Sequence, residues 1–166
     1  MGGATTHYYL IALGSNQRHV RHGRPAQVLA AATQALRDAG LAVLETSPIE
    51  ASRPLGPSSR DYANAAVLAG SEAEPAELLA ILQAIEVNFG RDRRGSRWRA
   101  RTLDLDIVLW SGGIFAAPEL TIPHSRFRER GFVLGPSAGI AADWRDPVTG
   151  LSLRHLLARL RRPRPV

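Results

Sequence analysis

Asp104 and Asp106 stand two apart in the run LDLDI, and in an extended chain that spacing puts both carboxylates on one side. Held together they repel, unless a cation lies between them. Magnesium suits such a pair, because it takes carboxylate oxygens and keeps other positions for water and phosphate. Just upstream come Arg91, Arg93, Arg94, Arg97, Arg99 and Arg101, a density of fixed positive charge that needs an anion. Guanidinium forks match phosphate oxygens, so the two groups together suit phosphoryl-type transfer from a metal-bound triphosphate. Two plainer readings stay open on these residues alone: surface acids satisfied by neighbouring arginines, or a basic patch for RNA or DNA. No GxxxxGK[ST] or GxGxxG run occurs, so a triphosphate here would rest on side chains and metal.

The elements that must position these residues are legible in the periodicity. Leu103 to Trp110 alternates, with Leu103, Leu105, Ile107 and Leu109 expected on one face and the aspartates on the other. His7 to Leu13 reads as an earlier strand, ended by a Gly14-Ser15-Asn16 turn. A helix is expected from Pro25 to Ala39, with Val28, Leu29, Ala32, Ala35 and Leu36 at helical spacing and Gly40 as its stop. Leu41 to Ile49 reads as a strand, the Pro- and Gly-bearing segment from Ser52 to Arg60 as an irregular loop, and Tyr62 to Ala69 as a further strand. Pro75 opens a second helix with Leu78, Leu79, Leu82, Ile85 and Phe89 as its stripe, and Gln83 and Glu86 on another face. The order strand, helix, strand, strand, helix, strand predicts an α+β, ferredoxin-like antiparallel sheet with both helices on one face. Beyond it, Thr121 to Phe132 reads as a polar active-site loop, Leu153, Leu156, Leu157 and Leu160 as a closing helix, and residues 161–166 as a solvated basic tail.

The chain has 166 residues, 45% of them hydrophobic, which suits a single domain with one real core. It has no cysteine, so disulfides and thiolate metal sites are excluded and the cytoplasm is the expected compartment. The opening apolar run breaks at Gly14 with no basic segment before it, so neither signal peptide nor membrane span is expected. A net charge of +6 attracts polyanions without choosing between nucleotide and nucleic acid.

The run GRDRRGSRWRARTLDLDIVLW from Gly90 to Trp110 resembles the signature region of the 6-hydroxymethyl-7,8-dihydropterin pyrophosphokinases, in which R-T-L-D-L-D is characteristic. Four more segments similar to that family follow its order: LGSN at Leu13 to Asn16, PLGP at Pro54 to Pro57, DYANAA at Asp61 to Ala66, and IPHSRFRERGFVLGP at Ile122 to Pro136. The resemblance implies transfer of diphosphate from ATP to a pterin alcohol in folate biosynthesis, with AMP released. It implies that Asp104 and Asp106 bind two magnesium ions bridging the ATP phosphates, and that Arg91 and Arg101 stabilise the transferring diphosphate. Arg93, Arg97 and Trp98 would belong to a loop closing over ATP. Gln83, His124, Ser125 and Arg130 correspond to nucleotide-contacting positions, with Leu79, Ile107 and Thr121 around the adenine. The pterin is expected between Tyr62 and Phe132, read by Asn64 and by backbone near Ser52, Pro54 and Leu55, with Glu86 in support. The expected partners are small molecules and not membrane or nucleic acid, since the strands lack an interleaved aromatic-basic pattern and acids sit within the basic segment; a monomer is expected. It departs from the usual pattern at Arg99 and Ala100, where glycine and proline are common, and at Arg94, Ser125 and Glu119.

Overall fold

A computed structural model describes residues 3–52, 61–90 and 102–165. Its elements run β1 (His7–Ser15), α1 (Pro25–Asp38), β2 (Ala42–Thr46), β3 (Glu50–Ser52), β4 (Tyr62–Ser71), α2 (Pro75–Asn88), β5 (Asp104–Trp110), β6 (Phe115–Ala117), β7 (Leu120–Ile122), α3 (Gly131–Ala141) and α4 (Leu153–Arg161). The main sheet has the order β2-β4-β1-β5, with β3 also on β4, and every pairing is antiparallel. This is the ferredoxin-like arrangement that the element order predicts, with β6 and β7 as a separate hairpin.

Alternation along β1 builds two cores from one strand. Tyr9, Ile11 and Leu13 face α1 and α2, where they meet Val28, Leu29, Leu36, Leu78 and Leu82. Leu10 and Ala12 face the other way, against Leu134 of α3 and Leu153 and Leu156 of α4. Burying each of these leucines removes its whole side chain from water, contributing about 1.5–3 kcal/mol apiece. The sheet is thus covered on both faces, which the expectation of two helices on one face did not include.

α3 escapes sequence periodicity for a physical reason. Its residues GFVLGPSAGIA are apolar or small all round, so no stripe marks a buried face, and an internal Pro136 argues against a helix. Gly131 and Phe132 therefore belong to a helix start rather than to the end of a polar loop, and the rest of that expected loop includes the end of β7 and a 3-10 turn at Phe127–Glu129. Other expectations shift in detail. Gly14 and Ser15 are the last residues of β1, held in register by Asn64 and Ala63 of β4. The strand expected over Leu41 to Ile49 ends at Thr46, because Pro48 has no N–H to give to the ladder, and the chain resumes pairing at Glu50. Leu109 lies in the α3 and α4 core, not with Leu105 and Ile107. A β-bulge explains this, since Leu10 pairs with Leu109 while Ile11 pairs with Ile107, leaving Val108 as the extra residue. In α4, Leu160 is 37% exposed and Arg161 is still helical, so the tail begins one residue later.

Candidate active site

Among the described residues, the face of the sheet that carries α3 has one uncovered end. Along β1 its side chains shrink toward that end, from Leu10 to Ala12 to Gly14. Gly14 pairs with Asn64 on one side and Asp104 on the other, and Ala12 pairs with Ala66 and Asp106. Directly paired residues share a face, so the two carboxylates and the Asn64 amide stand around a floor with almost no side chain. A Cβ built on Gly14 would come within 3.4 Å of Asn64 Oδ1, which shows how close the amide lies to that floor.

Over the floor is a cavity of about 630 Å³ lined by Ala12, Leu13, Gly14, Ser15, Asn16, Tyr62, Asn64, Asp104, Asp106, Arg126, Arg130, Phe132 and Val133. Its size is that of a small-molecule site. Two aromatic side chains stay open to it, Tyr62 at 40% exposure and Phe132 at 51%, although rings of this size are normally buried. The Arg130 guanidinium lies 5.7 Å from the Phe132 ring centre, at the N-cap of α3, so the positive end of that helix also faces the cavity. Among the described residues Asn16 Oδ1 is buried with no hydrogen-bond partner.

Of the residues expected at a site, this cavity brings together Asp104, Asp106, Tyr62, Asn64, Arg130 and Phe132. Leu79, Gln83, Ile107, Thr121, His124 and Ser125 do not line it. Ile107 is 3% exposed in the α1 and α2 core and Leu79 packs against the same core, while Gln83 is half-buried on α2. Thr121 pairs with Ala116 in the small hairpin. His124 is tied to the free edge of β5 by its N–H, which donates to the Val108 carbonyl at 3.1 Å. Its Nδ1 accepts the Arg126 N–H at 3.2 Å, so a neutral ring carries its proton on Nε2 and can donate outward. Ser125 is exposed beside it, and Ser52 closes β3 opposite Tyr62. Pro54, Leu55, Arg91, Arg93, Arg97, Trp98 and Arg101 lie outside the described residues, as does the rest of the expected closing loop.

Glu86, expected in support of the site, stands behind the strand rather than in the cavity. It is 2% exposed, belongs to α2, and its Oε2 accepts the Leu105 N–H at 3.1 Å, on the outer edge of β5. It does not line the cavity but secures the peptide between the two aspartates from the outer edge of the strand. Glu86→Ala would remove that acceptor and is expected to destabilise the protein by about 1–3 kcal/mol. Glu86→Gln keeps an acceptor, so thermal unfolding should place it nearer the native chain.

Asn16, Gly14, Val133 and Arg126 were not singled out as site residues from sequence. Their signals are weak individually: Gly14 and Asn16 lie in the LGSN segment, and Arg126 is two residues past His124. The turn that carries Arg126 is mounted on a buried ion pair. Arg128 donates from Nε and Nη2 to both Asp146 oxygens at 2.6 and 2.8 Å, and the same carboxylate accepts from the Val148 N–H and the Thr149 hydroxyl. Burial alone would raise the Asp146 carboxyl, but these hydrogen bonds outweigh it and hold it below the usual carboxylate range.

The sequence profile of 7,8-dihydro-6-hydroxymethylpterin-pyrophosphokinase matches residues 10–142. Proteins named 2-amino-4-hydroxy-6-hydroxymethyldihydropteridine pyrophosphokinase are similar along the chain. That of Pseudomonas aeruginosa is 39% identical over 89% of this chain and 88% of its own, and that of Haemophilus influenzae is 42% identical over 80% and 81%. For the Synechocystis relative the identity is 41% over 74% of this chain, which spans only 62% of that protein. The crystal structure of wild-type Plasmodium falciparum HPPK-DHPS with pteroate superposes with a TM-score of 0.67 at 12% identity, covering 96% of this chain and 43% of that one, a likeness of fold. With the profile covering most of its length and relatives of one name matching along it, the chain belongs to the 7,8-dihydro-6-hydroxymethylpterin-pyrophosphokinase family.

Proposed function

We propose that this protein transfers the terminal diphosphate of ATP to the hydroxymethyl group of 6-hydroxymethyl-7,8-dihydropterin, releasing AMP in folate biosynthesis. The observation that carries this reading is the joining, in one cavity, of a same-face carboxylate pair with an aromatic and amide pocket. A flat polar bicycle fits between the open faces of Tyr62 and Phe132. Asn64 can both donate to and accept from its edge, and backbone near Ser52 would read the remaining polar groups.

Asp104 and Asp106 fit divalent magnesium by their donor chemistry: hard carboxylate oxygens on one face, with no third His, Cys, Asp or Glu among the described residues to close the coordination. Two ions are proposed. When bound, magnesium would neutralise charge on the bridging phosphate oxygens. The chain's own work is to align the pterin alcohol with the β-phosphorus and to hold charge complementary to the phosphates. Arg130 and the start of α3 contribute from the described residues, and Arg91 and Arg101 are proposed to join them. Leu79, Gln83, Ile107, Thr121, His124 and Ser125 are proposed to form the nucleoside end along the free edge of β5, with His124 donating from Nε2. Arg93, Arg97 and Trp98 are proposed to close over ATP.

Among the described residues no helix is long and apolar enough to cross a membrane. A single pyrophosphokinase domain acting as a cytoplasmic monomer on small molecules, without nucleic acid, is proposed.

AMP formation tests the reading directly. With ATP, magnesium and the pterin alcohol the native chain should form AMP, and omitting the pterin or adding excess EDTA should stop it; no AMP from the folded chain would refute the proposal. Phe132→Ala is expected to weaken pterin binding about tenfold, by loss of one stacking face, and to leave nucleotide binding unchanged in equilibrium titrations.

A further inference from the structure

We infer that Arg126 is a further phosphate-binding residue of the ATP site; this rests on the pyrophosphokinase reading above. Three arginines alternate along the segment after Ser125, and the structure gives them different tasks. Arg128 is committed to Asp146 at 2.6 Å. Arg130 lines the cavity with its guanidinium near Phe132. Arg126 also lines the cavity, together with Asp104 and Asp106. Among the described residues its guanidinium meets Glu129, with Nε 3.7 Å from Oε2, and the two side chains are 66% and 71% exposed. A contact of that length between exposed groups contributes little and is readily exchanged.

The backbone under Arg126 is fixed although its side chain is not. Its N–H is held by His124 Nδ1, its carbonyl accepts the Glu129 N–H at 3.2 Å, and the next residue, Phe127, is fully buried. The Arg128 pair anchors the same turn from behind. A planar fork on a rigid mount, in a cavity that also holds two carboxylates, matches the phosphate oxygens that a metal on those carboxylates leaves uncovered. Asp104 and Asp106 would take the metal side of the triphosphate, and Arg126 and Arg130 the outer side.

The test is calorimetric binding of α,β-methylene-ATP with magnesium to the native full-length chain, Arg126→Gln and Arg126→Lys, with steady-state KM values for ATP and pterin beside it. Arg126→Gln should weaken analogue binding about tenfold or more, raise the KM for ATP, leave that for pterin in place and flatten the dependence of binding on salt. Arg126→Lys should recover part of the affinity, since the charge returns without the fork. Equal analogue affinity in native and Arg126→Gln chains would overturn the assignment and leave the pyrophosphokinase reading standing. A native chain that forms AMP but shows no change in either KM on Arg126→Gln would overturn it as well, and a native chain that binds no analogue would overturn both.

Discussion

Asp104→Asn and Asp106→Asn are each expected to lower pterin-dependent AMP formation by about 10³-fold, the loss typical when a group that stabilises transition-state charge is removed. Each substitution keeps size and a hydrogen-bonding oxygen but removes one negative charge from the metal side of the cavity. Asp106 is exposed at the cavity surface, and thermal unfolding read beside activity separates a loss of fold from a loss of chemistry. Pterin binding should survive, because Tyr62, Asn64 and Phe132 approach from β4 and α3. Single-turnover assays at saturating magnesium, read beside pterin fluorescence titrations, check both halves. Activity within tenfold of native in either variant would remove that aspartate from the proposed metal site.

Arg128→Met should be the most destabilising single change outside the apolar cores, at about 3–5 kcal/mol. The reason lies in its partner, since Asp146 is fully buried and would be left without the cation that offsets the cost of burying it. For a chain of this length that corresponds to a fall of roughly 10 °C or more in Tm. The paired variant Arg128→Met/Asp146→Leu, which removes both charges, should recover much of the loss. The same pair sets a pH dependence. The folded-state pKa of Asp146 is depressed, so its stabilisation is fully present above the unfolded value of about 3.9 and is lost as pH falls below about 4. Urea melts of native and Asp146→Asn chains between pH 3 and 7 should therefore converge at the acid end. The variant should also raise the KM for ATP, because His124, Arg126 and Arg130 sit on the turn that this pair secures.

How much of this could be read beforehand differs from element to element. The sheet and its first two helices were legible because each has a regular apolar period and a Pro or Gly at its boundary, as at Pro25 and Gly40 or Pro75 and Gly90. α3 was not, because an evenly apolar helix has no period to read. Asp104, Asp106, Tyr62 and Asn64 were legible since two-residue spacing in a strand fixes a common face. For Glu86 the sequence implies a supporting place without its form, because nothing local distinguishes a helix residue facing a strand edge from one facing a ligand. Arg126 was passed over in a segment where three arginines alternate with other residues, and only the position of Asp146, far along the chain, shows which of the three is structural.

The extra residue at Val108 acts as a phase shift within β5. Before it, even-numbered positions face the cavity, as Asp104 and Asp106 do; after it, odd-numbered Leu109 takes that side and serves the packing beneath α3 and α4. Two parities coexist on seven residues, so the demand for acids and the demand for grease never compete for one register. Each half of the strand can therefore be rewritten alone: substitutions that retune the aspartate half leave the packing half in step, and the reverse holds. Deleting Val108 would restore one-to-one pairing with β1, in which Asp104, Asp106 and Leu109 keep the α3 side while the core beneath α3 and α4 loses one valine.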